Sequence, residues 1–410
     1  MKTSLPHIEE LVGTPEFFKN PYPVYARLRT EAPVYWCAKW KSWLITRNDD
    51  VMNIMRDPQT FSNVGRHTLL IDQLEDSSRS RLEALRKHFQ GRGIVNCDPP
   101  DHTHLRKLAN KAFTPGMIEA LRPRVERIMQ MLIDRIESGK PFDIISSISF
   151  PLPAIVISEM LGAPRDDWER LKNWSEGITS FSQSGKVMMD RAVHADQCIR
   201  ELTAYFSDLI QQRRKEPRDD LISTLAAVSE DGETLNDGEL FDTCVTLLIA
   251  GHETTTSLVG NGMLELLRDP VQLNMLREEP GLMKSAVEEM LRFHSPVLLM
   301  HRRVAKDTTL RGHEIAKGDL IYMVLASANR DPEVFTEPDR FNIRRPTSEN
   351  KHVAFGYGIH FCLGAPLSRM EAPVAIRALL TRFPNLRLDG EPHWKANAMV
   401  RFLEHLPVRN

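Results

Sequence analysis

The longest regular pattern in this chain runs from about Asp237 to Arg268. There Leu240, Cys244, Leu247, Leu248, Gly251, Thr255, Leu258 and Gly262 recur at three- and four-residue spacing. That period predicts one helix with an apolar or small-residue stripe. The sequence Ala250-Gly251-His252-Glu253-Thr254-Thr255 breaks the stripe with an acid and two threonines, groups that are costly to bury without partners. A threonine also bonds back to the carbonyl one turn earlier and widens the helix locally, leaving a gap. A second helical run covers Leu282 to His294, with Pro296 as its stop. A third covers Ala365 to Phe383, and Pro373 inside it predicts a kink. Pro99 and Pro100 stop whatever precedes them, and Asp101 is placed to cap a helix that starts at His102. Short strand-like runs occur at Val34–Trp36, Trp43–Thr46, Thr309–Leu310 and Leu320–Leu325. Helical patterns outnumber them, so the expected class is mainly α with a smaller β region.

Composition narrows the picture only modestly. The 410 residues carry 53 Lys and Arg against 55 Asp and Glu, a net charge of −2, and no long basic run, so nucleic acid is not an expected partner. The start, Met1 to Glu10, lacks the apolar stretch of a signal peptide or membrane span, and a cytoplasmic protein without a membrane partner is expected. Five scattered cysteines, Cys37, Cys97, Cys198, Cys244 and Cys362, fit a reducing compartment better than a disulfide framework. Cys244 lies on the long apolar stripe, where core packing is favoured over lining a cavity. No linker, repeat or low-complexity tract divides the chain, so one domain over residues 1–410 is expected.

The most telling chemistry is in Phe355-Gly356-Tyr357-Gly358-Ile359-His360-Phe361-Cys362-Leu363-Gly364. A glycine-punctuated loop presents one sulfur just before a helix, whose N-terminal end favours negative charge and therefore a thiolate. The spacing F-x-x-G-x-x-x-C-x-G resembles the haem-binding loop of the cytochrome P450 family, in which the cysteine is the proximal ligand of the iron. Three further segments, far apart in the sequence and all before this loop, also match the family. Ala250 to Thr255 resembles its oxygen-activation motif; Glu289-Met290-Leu291-Arg292, with Asn329-Arg330-Asp331-Pro332 and Pro338-Asp339-Arg340-Phe341 after it, resembles its E-x-x-R region; and Asp98 to Arg106 resembles its propionate-binding helix.

The resemblance implies a triangular, single-domain fold with a long central helix over the haem. It implies Cys362 as the metal ligand and Glu253 and Thr254 as the catalytic acid and alcohol that manage proton delivery. His102 and Arg106, one helical turn apart, together with Arg302 and His360, would meet the propionates of heme b. Arg303 is the neighbouring alternative, and Arg302 is preferred because it stands five before Asp307. Phe355, Gly364, Ala250 and Gly251 would also line the cofactor, while Glu289, Arg292 and Arg340 would form a buried structural triad. The substrate pocket would take Leu247, Leu248, Ala250, Leu298, Leu299, Met300, Met399 and Val400, with Leu69, Leu70 and Ile71 from a charge-rich lid between Gly65 and Asn96.

Family membership implies a monooxygenase that uses O2 as co-substrate on an apolar small molecule. No nicotinamide- or flavin-binding unit is visible, so a separate ferredoxin-type partner is implied. Lys107, Lys111, Arg344, Arg345, Lys351 and Arg369 are candidates for a basic proximal face that would receive it. A monomer is expected. Two rivals are a peroxide-driven haem-thiolate enzyme, which would not need Glu253 and Thr254, and a non-catalytic haem sensor, which would need neither the oxygen motif nor an apolar pocket.

Overall fold

Three- and four-residue periodicity becomes helix where the pattern places it: Asp237–Arg268, Met283–Phe293 and Ala365–Arg382. The last of these runs without interruption through Pro373. The computed structural model describes residues 6–72, 74–182, 188–230 and 232–410. Contacts divide the chain into two compact units, Met1–Thr60 with Arg122–Pro153 and Glu253–Asn410, and Phe61–Leu121 with Ala154–His252.

In the first unit, strands Val34–Cys37 and Ser42–Ile45 pair antiparallel, the second pairs in parallel with Leu320–Val324, and that strand pairs antiparallel with Leu299–Val304. β-Branched and aromatic residues such as Val34, Tyr35, Trp43 and Ile45 suit this buried sheet. One apolar cluster joins it to the N-terminal helices through Phe17, Tyr25, Leu28, Leu44, Leu298 and Leu299. The helices Arg122–Asp134 and Met283–Phe293 both pack against Ala365–Arg382.

The second unit is built on the packed helices Trp168–Ser182 and Met189–Lys215. The charge-rich stretch between Gly65 and Asn96 is largely helical, ending in Glu83–Gln90. That last helix is tied down twice: the Leu85 N–H donates to buried Asp196 at 2.8 Å, and His88 pairs with Asp242 at 3.1 Å. Ile71 is fully buried, while the side chains of Leu69 and Leu70 lie outside the described residues. Helix Asp101–Ala112 begins one residue earlier than its sequence suggests. Asp101 is inside the first turn rather than capping it, and its carboxylate is held by Arg92. Among the described residues no helix is long and apolar enough to cross a membrane.

Candidate functional site

The cysteine loop is shaped by two residues that must adopt positive φ. Gly356 and Gly358 both sit at φ +72°, a region that side chains rarely tolerate. A Cβ on Gly358 would stand 2.7 Å from the Met55 carbonyl oxygen, so only glycine allows this approach. The turn closes when the Cys362 N–H donates to the Phe355 carbonyl at 2.9 Å and the Phe361 N–H to that of Gly358 at 3.1 Å. Helix Ala365–Arg382 begins three residues after the sulfur with no side-chain cap, which leaves its N-terminal dipole to favour a thiolate. Of the five cysteines only Cys362 is not buried. Burial pushes the thiols of Cys37 and Cys97 up to about 12 and that of Cys198 to about 11, and it raises Cys244 as well. Those four are inert core residues.

The strand Leu299–Val304 separates the two adjacent arginines by alternation. Arg302 is buried, at 3% exposure, and donates to the His301 carbonyl at 2.9 Å, whereas Arg303 faces outward. His360 lies in the short turn Gly358–His360 of the same loop as Cys362. In the second unit, His102 is buried and Arg106 stands one turn further along the helix, donating to Asn110 at 3.2 Å. Within the first unit the haem implied by the resemblance fits what is present: a soft, accessible sulfur for the iron in Cys362 and a buried guanidinium in Arg302 for a carboxylate.

Along the central helix, Leu247, Ala250, Gly251 and Thr254 keep accessible surface, while Leu248, His252 and Thr255 are buried. The accessible strip coincides with the small residues and the alcohol of the oxygen motif. Glu253 is 7% exposed. Thr255 differs from its neighbour because its hydroxyl is engaged with Ser368 at 3.1 Å. His252 is fully buried and bonded to the Leu248 carbonyl, and desolvation lowers its pKa to about 4, so the ring is neutral.

Several assignments change. Leu248, Leu298 and Leu299 are at most 2% exposed and belong to packed core, so they offer no surface to a substrate. Met300, Met399 and Val400 remain partly accessible, and the Met399 carbonyl accepts the Leu298 N–H at 2.7 Å, which holds those two segments together. The third member of the buried triad is Arg345 rather than Arg340. Glu289 and Arg292 are fully buried and joined by two 2.8 Å hydrogen bonds, and Arg345 Nε donates to Glu289 at 3.0 Å. The Arg340 side chain points outward to Glu337, and only its carbonyl takes part, accepting from Arg292 at 3.0 Å. Burial also withdraws Arg345 from any basic docking face. Arg344 and Arg369 are each paired with a glutamate, Glu279 and Glu288.

One residue escaped the sequence reading. Glu371, on the helix after the cysteine loop, is 1% exposed, and neither carboxyl oxygen has a hydrogen-bond partner. Burial pushes the carboxyl up to about 8 despite a smaller opposing effect of the Thr255 hydroxyl. Its position nine residues after Cys362, between Met370 and Ala372 on an otherwise apolar helix face, is the only local signal.

The profile described as Cytochrome P450 matches residues 43–397. The polyketide biosynthesis cytochrome P450 PksS of Bacillus subtilis (strain 168) is 39% identical over 404 residues, covering 96% of both chains. The vitamin D(3) 25-hydroxylase of Pseudonocardia autotrophica is 40% identical over 399 residues, covering 96% of this chain and 94% of that one. Among solved structures, P450BioI in complex with hexadec-9Z-enoic acid ligated acyl carrier protein superposes with a TM-score of 0.88 at 37% identity, over 96% of this chain and 99% of that one. A cysteine loop of this geometry and a buried E-x-x-R pair, in a chain matched over 96% of its length by such relatives, place this protein in the cytochrome P450 family.

Proposed function

We propose that this chain is a haem-thiolate monooxygenase that inserts one oxygen atom from O2 into an apolar small molecule, with electrons from a separate ferredoxin and its reductase. The single observation that carries the reading is Cys362: the one accessible thiol of five, set in a two-glycine turn at the start of a helix. When bound through that thiolate, heme b supplies oxygen activation, because the sulfur pushes electron density toward the iron and favours O–O cleavage.

The rest falls to the protein's side chains. By the resemblance, Arg302 and His360 of the first unit and His102 and Arg106 of the second would meet the propionates, and Phe355, Gly364, Ala250 and Gly251 would border the ring. Glu253 would relay protons, and the Thr254 alcohol would hold the protonating water. Leu247, Ala250, Met300, Met399 and Val400 supply apolar contact to the substrate. Relatives named for polyketide biosynthesis and vitamin D(3) 25-hydroxylation, and one solved with an acyl chain on a carrier protein, support a mainly apolar substrate. The family profile spans parts of both compact units, which supports reading the chain as one functional domain. A cytoplasmic monomer is the matching assignment.

The test is the absorption of the reduced carbon monoxide complex. It should lie at the long-wavelength position of a thiolate-bound haem, and Cys362→His should lose that band. A retained band in the substituted protein overturns the ligand assignment. A screen for the spin-state change on displacement of the distal water then identifies the substrate.

A further inference from the structure

Beside the cysteine loop lies a polar cluster that the functions above leave unused. Glu288 is next to Glu289 on helix Met283–Phe293 but has different partners. Arg369, on the helix after the cysteine, donates to both of its oxygens at 2.6 and 2.8 Å. His352 Nε2 meets the same carboxylate at 3.0 Å, and the Ala354 N–H donates to His352 Nδ1 at 3.2 Å. The permanent charges of the cluster are one guanidinium and one carboxylate. Burial acts to raise the Glu288 pKa, yet the hydrogen bonds from Arg369 and His352 hold it down to about 2, so the carboxylate stays charged.

Two contacts connect this pair to the sulfur. The Arg369 guanidinium lies 4.6 Å over the Phe355 ring, and the Phe355 carbonyl accepts the Cys362 N–H at 2.9 Å. The hydrogen bond to Glu288 is the main influence raising the Arg369 pKa, and the charge of Cys362 adds a smaller one of the same sign. A cation beside a thiolate stabilises its negative charge and weakens its donation to a metal, while a carboxylate on the far side of that cation offsets the effect.

We propose that Glu288 and Arg369 form a charge-balanced clamp that positions the cysteine loop and sets the donor strength of Cys362 toward the haem iron. Arg369 withdraws charge from the sulfur, and Glu288 limits how far. Both are positioning residues, and the proposal rests on Cys362 being the ligand.

The experiment measures the midpoint potential of the haem-loaded protein by spectroelectrochemical titration, with the carbon monoxide band recorded in parallel. Arg369→Met should lower the potential, because the thiolate donates more strongly once the cation is gone. Glu288→Gln, which keeps shape and an acceptor oxygen, should raise it by leaving Arg369 uncompensated. Arg369→Lys, which keeps charge but loses the fork, should fall between wild type and the methionine variant. Shifts of the same sign in Arg369→Met and Glu288→Gln, or no shift in either, overturn the clamp, since a merely structural role carries no opposition of sign. Should Arg369→Met bind no haem, Glu288→Gln alone decides: a raised potential supports the proposal and an unchanged or lowered one refutes it. A wild-type complex lacking the long-wavelength band would instead refute the ligand assignment.

Discussion

Replacing Glu371 by glutamine should stabilise the protein, and by an amount that grows with pH. The carboxyl has an ordinary value of 4.5 and is pushed up to about 8 by complete burial. Below about pH 4.5 it is protonated in both folded and unfolded chains and contributes no pH dependence. Between that value and about 8 the unfolded chain ionises while the folded one keeps its proton, so stability falls as pH rises, by about 1.4 kcal/mol per pH unit. The loss reaches roughly 3 kcal/mol at pH 7 and approaches about 5 kcal/mol above pH 8. An amide at this position never ionises and escapes the loss. For 410 residues, at ~2.1 cal/mol/K of unfolding entropy per residue, a gap of about 4 kcal/mol between pH 5 and pH 8 corresponds to about 4–5 °C in Tm. Thermal unfolding of the haem-loaded wild type and Glu371→Gln, followed by circular dichroism at both pH values, measures it. Coincident melting at pH 5 with a variant several degrees higher at pH 8 is expected. Parallel pH curves would show that Glu371 is ionised in the folded protein, paired with a group that compensates its burial.

Arg345→Ala should leave Glu289 short of a partner and cost about 3–5 kcal/mol with loss of haem, whereas Arg340→Ala should change stability by less than about 0.5 kcal/mol, both read from denaturant midpoints and haem content. Arg302→Leu should lower haem retention on gel filtration, and Arg303→Leu, on the outward side of the strand, should not; equal losses would mean that neither side chain is specific to the propionates. Thr254→Ala should bind haem and substrate nearly as well as wild type yet release more hydrogen peroxide per electron pair as product falls. Full coupling in that variant would remove Thr254 from proton delivery, with Thr255 a poor substitute because its hydroxyl is engaged with Ser368.

Local pattern carried the helices and the cysteine loop, because both are written in neighbouring residues: a three-to-four period from Asp237 to Arg268, and glycines at the two positions that require positive φ. What depends on distant contact was less legible. Arg340, Arg344 and Arg345 lie within six residues of one another, and nothing local says which turns inward to Glu289. Leu298 and Leu299 look like pocket residues until the N-terminal helices are seen packed upon them. Asp101 has the chemistry of a cap, but Arg92 competes for its carboxylate. Arg302 was separable from Arg303 in principle, since alternation along a strand buries only one of two neighbours.

The parallel pairing of Ser42–Ile45 with Leu320–Val324 has a consequence for synthesis. Ile321 aligns with Trp43, a partner 278 positions earlier in the chain. At ~5–20 residues per second, that neighbour leaves the ribosome about 14–56 s after the first strand does. Until then one side of the nascent hairpin, with Trp43, Leu44 and Ile45, is an open edge of the kind that invites pairing with foreign chains. The cysteine loop emerges later still, so cofactor capture follows the synthesis of both strands. A supply of haem that lags behind synthesis should therefore leave a largely built chain without its cofactor, rather than halt folding at the start.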